Sequence, residues 1–152
     1  MALRREYGKM CEEFVEKGVD AMIFVTDGDG RPWRDVKREE REKFPQKRLV
    51  LAVHGVTDRN IECWICTDAD YVANRLGIPA AELRVEDPKG RFETAMGITR
   101  DDKREDEIAQ LVREAPLRQW LRSPSFEDFY EQVRRLSQML GCEIENVREV
   151  VP

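Results

Sequence analysis

Apolar positions along the chain follow two patterns. Two short runs are apolar without polar alternation: Ala21-Met22-Ile23-Phe24-Val25 with Thr26 closing it, and Leu49-Val50-Leu51-Ala52-Val53 after Arg48. Such runs predict strands covered on both faces, as in a parallel sheet. The first runs into Asp27-Gly28-Asp29-Gly30-Arg31-Pro32, a turn by composition, and the second ends at His54-Gly55.

Elsewhere the apolar residues recur at helical spacing. Leu3, Tyr7, Met10 and Phe14 predict a helix over 2–17, stopped by Gly18. Residues 33–43 are densely charged and predict a surface helix or a loop. Ile61, Trp64, Ile65, Val72 and Leu76 predict a helix from about 60 to 76, closed by Gly77. The stretch 78–88 is irregular, and Pro88 opens a short helix. Residues 102–114 predict a charged helix with Ile108, Leu111 and Val112 on one face, before Pro116 interrupts. A last helix carries Phe126, Phe129, Val133, Leu136 and Leu140, with Ser125 as its N-cap and Asp128 completing a box-like pair. The tail, 144–151, predicts a short strand. Helix, strand, helix, strand is the order of a right-handed crossover joining a parallel pair. The expected fold is α/β: one domain over 1–152, a small, mostly parallel sheet sandwiched by helices, with a helical C-terminal part.

Composition narrows the function classes. At 152 residues, 41% hydrophobic and 38% charged, the chain has an ordinary core under a heavily charged surface. A net charge of −5 argues against a protein that coats nucleic acid, while leaving room for a local basic patch and bound metal ions. No apolar run approaches the roughly 20 residues that span a bilayer, so no membrane is expected as a partner. The start, Met1 to Glu6, is polar and lacks a signal core, so a cytoplasmic location is expected. Cys11, Cys63, Cys66 and Cys142 are then expected to be reduced thiols.

Chemistry concentrates after the first strand. Ligands of parallel sheets bind at the carboxyl ends of strands. Hard cations such as Mg²⁺ or Mn²⁺ need only one or two carboxylates beside their waters. Asp27 and Asp29, two residues apart, with Gly28 and Gly30 to let the backbone turn tightly, suit such an ion. The plainer reading is an acidic turn with Asx bonding. Glu62 and Asp68 are further candidates, as a catalytic group and a metal ligand. Six residues apart on a regular helix they do not point the same way, so one would face the metal and the other cap or pair elsewhere. His54 directly follows a strand, which places it on the rim with Asp27, either as a catalytic group or as a hydrogen-bonded strand-end histidine. Cys63-Trp64-Ile65-Cys66 has redox or zinc spacing but lacks the strand–helix order of a thioredoxin site and two further zinc ligands, so buried thiols are expected. Trp33, Trp64 and Trp120 are expected to pack in the core or an interface.

These motifs resemble a family. Phe24-Val25-Thr26-Asp27-Gly28-Asp29-Gly30, a second strand, Glu62-Cys63-Trp64-Ile65-Cys66-Thr67-Asp68, then Asp87-Pro88-Lys89 and Ser125-Phe126 resemble Toprim-like proteins found beside ATPases in bacterial genomes. The resemblance spans about residues 20–140. It implies a Toprim/Rossmann-like sheet, Mg²⁺ or Mn²⁺ at Asp27 and Asp29, and metal-assisted nuclease or phosphoryl-transfer chemistry. In that chemistry the ion polarises a phosphate oxygen and activates water, with Lys89, Arg31 or Arg34 on the phosphate. It implies nucleic acid and a partner ATPase as candidate partners, with a homodimer also open. The family's first strand and its glutamate have no counterpart here. Either the chain is truncated, or a neighbouring protein supplies that strand, or the protein is not a catalyst; Glu62 is a candidate stand-in.

Two other functions compete. A haloacid-dehalogenase-like phosphatase also places Asp-x-Asp-Gly after a buried strand and would use Asp27 as nucleophile, with Lys89 and Asp101-Asp102 standing for its later motifs. Against it, Arg31 stands where Thr or Val is expected, and no Ser or Thr closes the strand over 48–53. The other is a non-catalytic interaction module whose open sheet edge docks on a partner ATPase.

Overall fold

The computed structural model describes residues 9, 10, 12–43, 51–142, 144 and 146–148. The fold is α/β, with strand β1 (Ala21–Thr26) and strand β2 (Leu51–Val56) in a two-stranded parallel sheet. The register pairs Ala21 with Leu51, Phe24 with His54 and Thr26 with Val56. Helix α1 (Trp33–Lys43) forms the crossover's described part, and the helical remainder follows: α2 (Ile61–Ile65), α3 (Ala69–Leu76), α4 (Lys89–Met96), α5 (Glu105–Arg113), α6 (Leu117–Trp120) and α7 (Pro124–Met139). Residues 12–16 are helical, and Gly18 ends that turn with a left-handed φ of 75°.

Helices cover the two faces of β2. On one side α7 packs so closely that a Cβ on Gly55 would lie 2.6 Å from Phe129 Cδ2, so the approach requires glycine. On the other side His54 stacks on Phe24, ring centroids 5.1 Å apart, and α1 brings Lys37, Glu40 and Arg41 near it. The backbone of β2 is also met sideways. Leu51 N donates to Asp20 O and Thr57 N to Thr26 O, so the alternate residues Ala52, His54 and Val56 turn their backbone groups away from β1. At His54 a side chain stands in for a third strand: Gln132 Nε2 donates to His54 O at 3.0 Å, and Gln132 Oε1 accepts from His54 N at 3.4 Å.

The continuous core lies in the helical part. Trp64 carries it: stacked on Phe129 and edge-on to Phe126, each at 5.3 Å, it donates its indole N–H to Ser125 Oγ at 2.8 Å. That satisfies the polar end of a side chain only 2% exposed.

Several expectations need correction. β1 is not covered on both faces: Ile23 and Val25 are 53% and 49% exposed, while α7 packs mainly on β2. The second strand runs on through His54 and Gly55 to Val56, while residues 48–50 lie outside the described ones. The expected helix over 60–76 breaks into α2, a 3-10 turn Cys66–Asp68 and α3. Asn60 caps the first piece through Cys63 N, and Asp68, with ψ of 74°, leaves the helix to cap the second through Tyr71 N. The last helix is capped by Ser123, whose Oγ accepts from Phe126 N, with Pro124 in its first turn. The described tail residues hold no strand, and 149–151 lie outside them.

Candidate functional site

Because the strands end in register, the loops after Thr26 and Val56 leave the same edge of the sheet. The two loops are tied together. Thr57 Oγ1 accepts from Gly28 N at 3.4 Å and donates to Asp27 Oδ1 at 3.5 Å, both long contacts. Asp29 N donates to Arg59 O at 2.9 Å, a stronger tie. A Cβ on Gly28 would sit 2.2 Å from Thr57 O and 2.9 Å from Asp58 O, so only glycine lets the loops meet. Asp29 itself is left-handed, with φ of 51°, a conformation that aspartate tolerates better than most residues.

Acidic groups outnumber basic ones on this rim, where Arg31 follows Asp29 and the Arg59 guanidinium packs against Gly30. Asp27 and Asp29 are exposed, Asp58 is exposed and accepts from Ser123 Oγ at 3.3 Å, and Glu62 begins α2 in a buried position. Among the described residues none of these four forms an ion pair. Several carboxylates elsewhere do: Asp70 with Arg84, Glu86 with Arg59, Glu39 with Arg31, Asp35 with Arg38 and Asp128 with Lys37. Glu62 Oε2 is buried with no hydrogen-bond partner. A buried polar atom left in that state costs about 1–3 kcal/mol. Among the described residues no three His, Cys, Asp or Glu side chains converge as a metal cluster.

The other sequence candidates are dispersed. Asp68 spends its carboxylate capping α3 and lines a cavity of about 480 Å³ with Asp58, Cys63, Cys66 and Arg84, so it does not join Asp27 and Asp29 in a triad. His54 is not on the rim: it lies inside β2, three residues short of Thr57, and is 4% exposed. Its burial, with Arg41 close by, holds its pKa below the usual 6.5. Lys89 is exposed at the start of α4, its ammonium 4.0 Å from Glu93. Asp87, before it, accepts from Asn60 Nδ2 at 3.0 Å and from Lys89 N at 3.3 Å, which lowers its pKa. Arg31 pairs with Glu39, and Arg34 lies over the Trp33 ring. Cys63 and Cys66 are free thiols, half-buried and buried, and burial pushes Cys66 up to about 12, so it is a poor nucleophile.

Thr57 and Asp58 are the rim residues that the sequence reading passes over. Their signal is present: in a parallel pair the segment after the second strand returns to the edge where the first one ends. Placing that strand's end at His54 hides it. Compared with family models, with curated proteins and with solved structures, the chain gives no match.

Proposed function

We propose that this chain is a Toprim-like module that holds a divalent cation at Asp27 and Asp29 for phosphoryl-transfer chemistry and works with a partner. The observation that carries the reading is the acidic rim: Asp27, Asp29 and Asp58, three exposed carboxylates on two joined loops, form no ion pair among the described residues. Glu62 adds an independent support, since its buried, unpartnered Oε2 has a hydrogen-bonding capacity that nothing described in the chain uses. A bound Mg²⁺ or Mn²⁺ would polarise a phosphate oxygen and lower the pKa of water. The chain's own part is positional. Thr57 orients Asp27, the Gly28 contact fixes the loop pair, and Glu62 offers a carboxylate oxygen beside the second loop. His54, buried against Phe24, takes no part.

The partner follows from the acidic set being incomplete and from the outer edge of β1 having no paired strand among the described residues. Two-metal phosphoryl transfer needs ligands on both sides of the scissile phosphate. The backbone groups of Ile23 and Val25 point away from β2 by strand alternation, and their side chains are exposed as well, so an added strand would meet both. Calorimetric titration with Mn²⁺ tests the cation site. Weak uptake by the wild type, lost in the Asp27→Asn, Asp29→Asn double variant, is expected; equal uptake by both rejects it. Plasmid cleavage tests the partner requirement. The chain alone is expected to be a poor nuclease with Mn²⁺, and robust cleavage abolished by Glu62→Gln would mean that the active site is complete without help.

One observation favours a second reading. β2 closes on Thr57, so the objection that no Ser or Thr ends the second strand falls away, and Thr57 Oγ1 reaches Asp27 Oδ1. A haloacid-dehalogenase-like phosphatase would use Asp27 to attack phosphorus, releasing the alcohol and leaving an aspartyl phosphate that water then hydrolyses. Arg31 still departs from that pattern. Beryllium trifluoride separates the two: a stable adduct on Asp27 supports the phosphatase, and its absence with Mn²⁺ uptake intact supports the first reading.

A further inference from the structure

We infer that the face of α1 that carries Arg34 and Arg41 is a docking surface for a single-stranded nucleic acid. Arg34, Lys37, Arg38 and Arg41 recur at spacings of three and four, which gathers them on one side of the helix. With Trp33 at the helix start they line an open cavity of about 400 Å³, whose carboxylates among the described residues are Glu42 and Asp128. On a chain of net charge −5, these four cations stand against three carboxylates, Glu42, Asp128 and Asp35 beside Arg38, which leaves a local positive excess.

Two of the four cations are already engaged. Lys37 donates to Asp128 at 2.5 Å and Arg38 to Asp35 at 2.8 Å. Arg34 and Arg41 form no ion pair among the described residues, so their guanidinium donors are available to phosphate. They stand seven residues apart, roughly 10 Å along the helix, the length of about three phosphates in one strand of a stacked nucleic acid.

Trp33 selects the kind of anion. It is half-buried, and the Arg34 guanidinium lies 4.4 Å from its ring centroid, so cation and aromatic face form one platform. Unpaired bases stack on such platforms, whereas paired bases in a duplex are occupied with one another. An anionic membrane would need an apolar flank beside the cations, and among the described residues Trp33 is the only apolar one lining this cavity. The inference stands apart from the cation site, since it uses none of Asp27, Asp29 or Glu62.

Fluorescence anisotropy of a fluorescein-labelled oligothymidylate, titrated with the full chain in EDTA, tests it. Binding is expected to weaken with salt at a log–log slope of about −1.4, for the two phosphates that Arg34 and Arg41 neutralise. The Arg34→Gln, Arg41→Gln double variant is expected to lose about tenfold in affinity or more and about 1.4 of that slope, at about 0.7 per phosphate on a single strand. Arg34→Lys with Arg41→Lys should keep the slope, and Trp33→Ala should cost about tenfold on the single strand and little on a duplex. The Asp27→Asn, Asp29→Asn variant should bind no more weakly than wild type, which keeps this result separate from failure of the cation site. No binding, binding unchanged in the Gln pair, a preference for duplex, or capture by phosphatidylserine vesicles without binding to the strand would each overturn the assignment.

Discussion

The helical part of the chain, from α2 to α7, and the sheet that precedes it are held together by different means. The continuous core runs from Trp64 to Tyr130 and draws every buried member from the helical part. The sheet side buries Met22, Val36, Val53 and Val56 outside that cluster and leaves Ile23 and Val25 about half exposed. Polar ties carry the junction instead: Lys37 of α1 bonds Asp128 of α7, whose Oδ2 also accepts from Gln132 Nε2 at 2.9 Å, and Gln132 grips the backbone of His54. The difference teaches where each part gets its stability. The helical part packs by itself, and β1 depends on β2, which depends on α7.

The largest expected effect tests the helical core. Trp64→Ala removes the ring that touches Phe126 and Phe129 and takes the indole N–H away from Ser125 Oγ, so it should cost about 3–5 kcal/mol in urea unfolding. A loss below about 1 kcal/mol would mean that the core does not centre on this side chain. Next comes the junction. Gln132→Leu keeps most of the bulk but strips both hydrogen bonds from His54, and should cost about 1–3 kcal/mol. The comparison breaks if that change is neutral, because the edge of β2 would then not rely on α7. By contrast, Ile23→Thr with Val25→Thr should shift stability by no more than about 0.5 kcal/mol per residue, since both side chains already meet water. A larger loss would show that these residues are covered in solution, as in an assembly of copies, and dilution would then change the unfolding midpoint.

The smallest effect is in pH. Burial and Arg41 hold the His54 pKa below its unfolded value, with Glu40 opposing and Lys37 assisting. The unfolded chain therefore binds this proton more readily, so stability is highest above the ordinary value of about 6.5 and falls as pH drops through it, levelling once the folded pKa is passed. Urea midpoints measured on both sides of that value should show this slope in wild type and a flatter one in His54→Gln; parallel slopes would assign it to other groups.

Much of the fold is legible in the chain because apolar runs and helical spacing report burial directly. Both strands and their parallel order follow from that signal. Details go astray where one residue serves a purpose that periodicity does not encode. Gly55 looks like a stop, but it is small because Phe129 presses on it. His54 looks like a rim residue, but it is polar inside a strand because Phe24 stacks on it and its backbone is satisfied by Gln132. Ser125 looks like the cap beside Phe126, but Pro124 needs the first turn and moves the cap to Ser123, freeing Ser125 to receive Trp64. The exposure of β1 leaves no mark in an apolar run, which predicts a cover without saying which chain supplies it. The acidic pair is legible as a motif. Its tie to Thr57 and Asp58 is not, because that tie depends on where β2 ends.

Amide exchange should distinguish the two borders of the sheet. In parallel pairing the N–H of every second residue points outward, which on β2 includes His54 and on β1 includes Ile23 and Val25. The outward amide of His54 is clasped by a helix side chain, so its proton can leave only when α7 lifts away or the sheet opens. The outward amides of β1 have no such clasp among the described residues, so their protons should be lost to heavy water well before that of His54. One border of the sheet is thus sealed on the timescale of helix detachment, and the other has no clasp among the described residues.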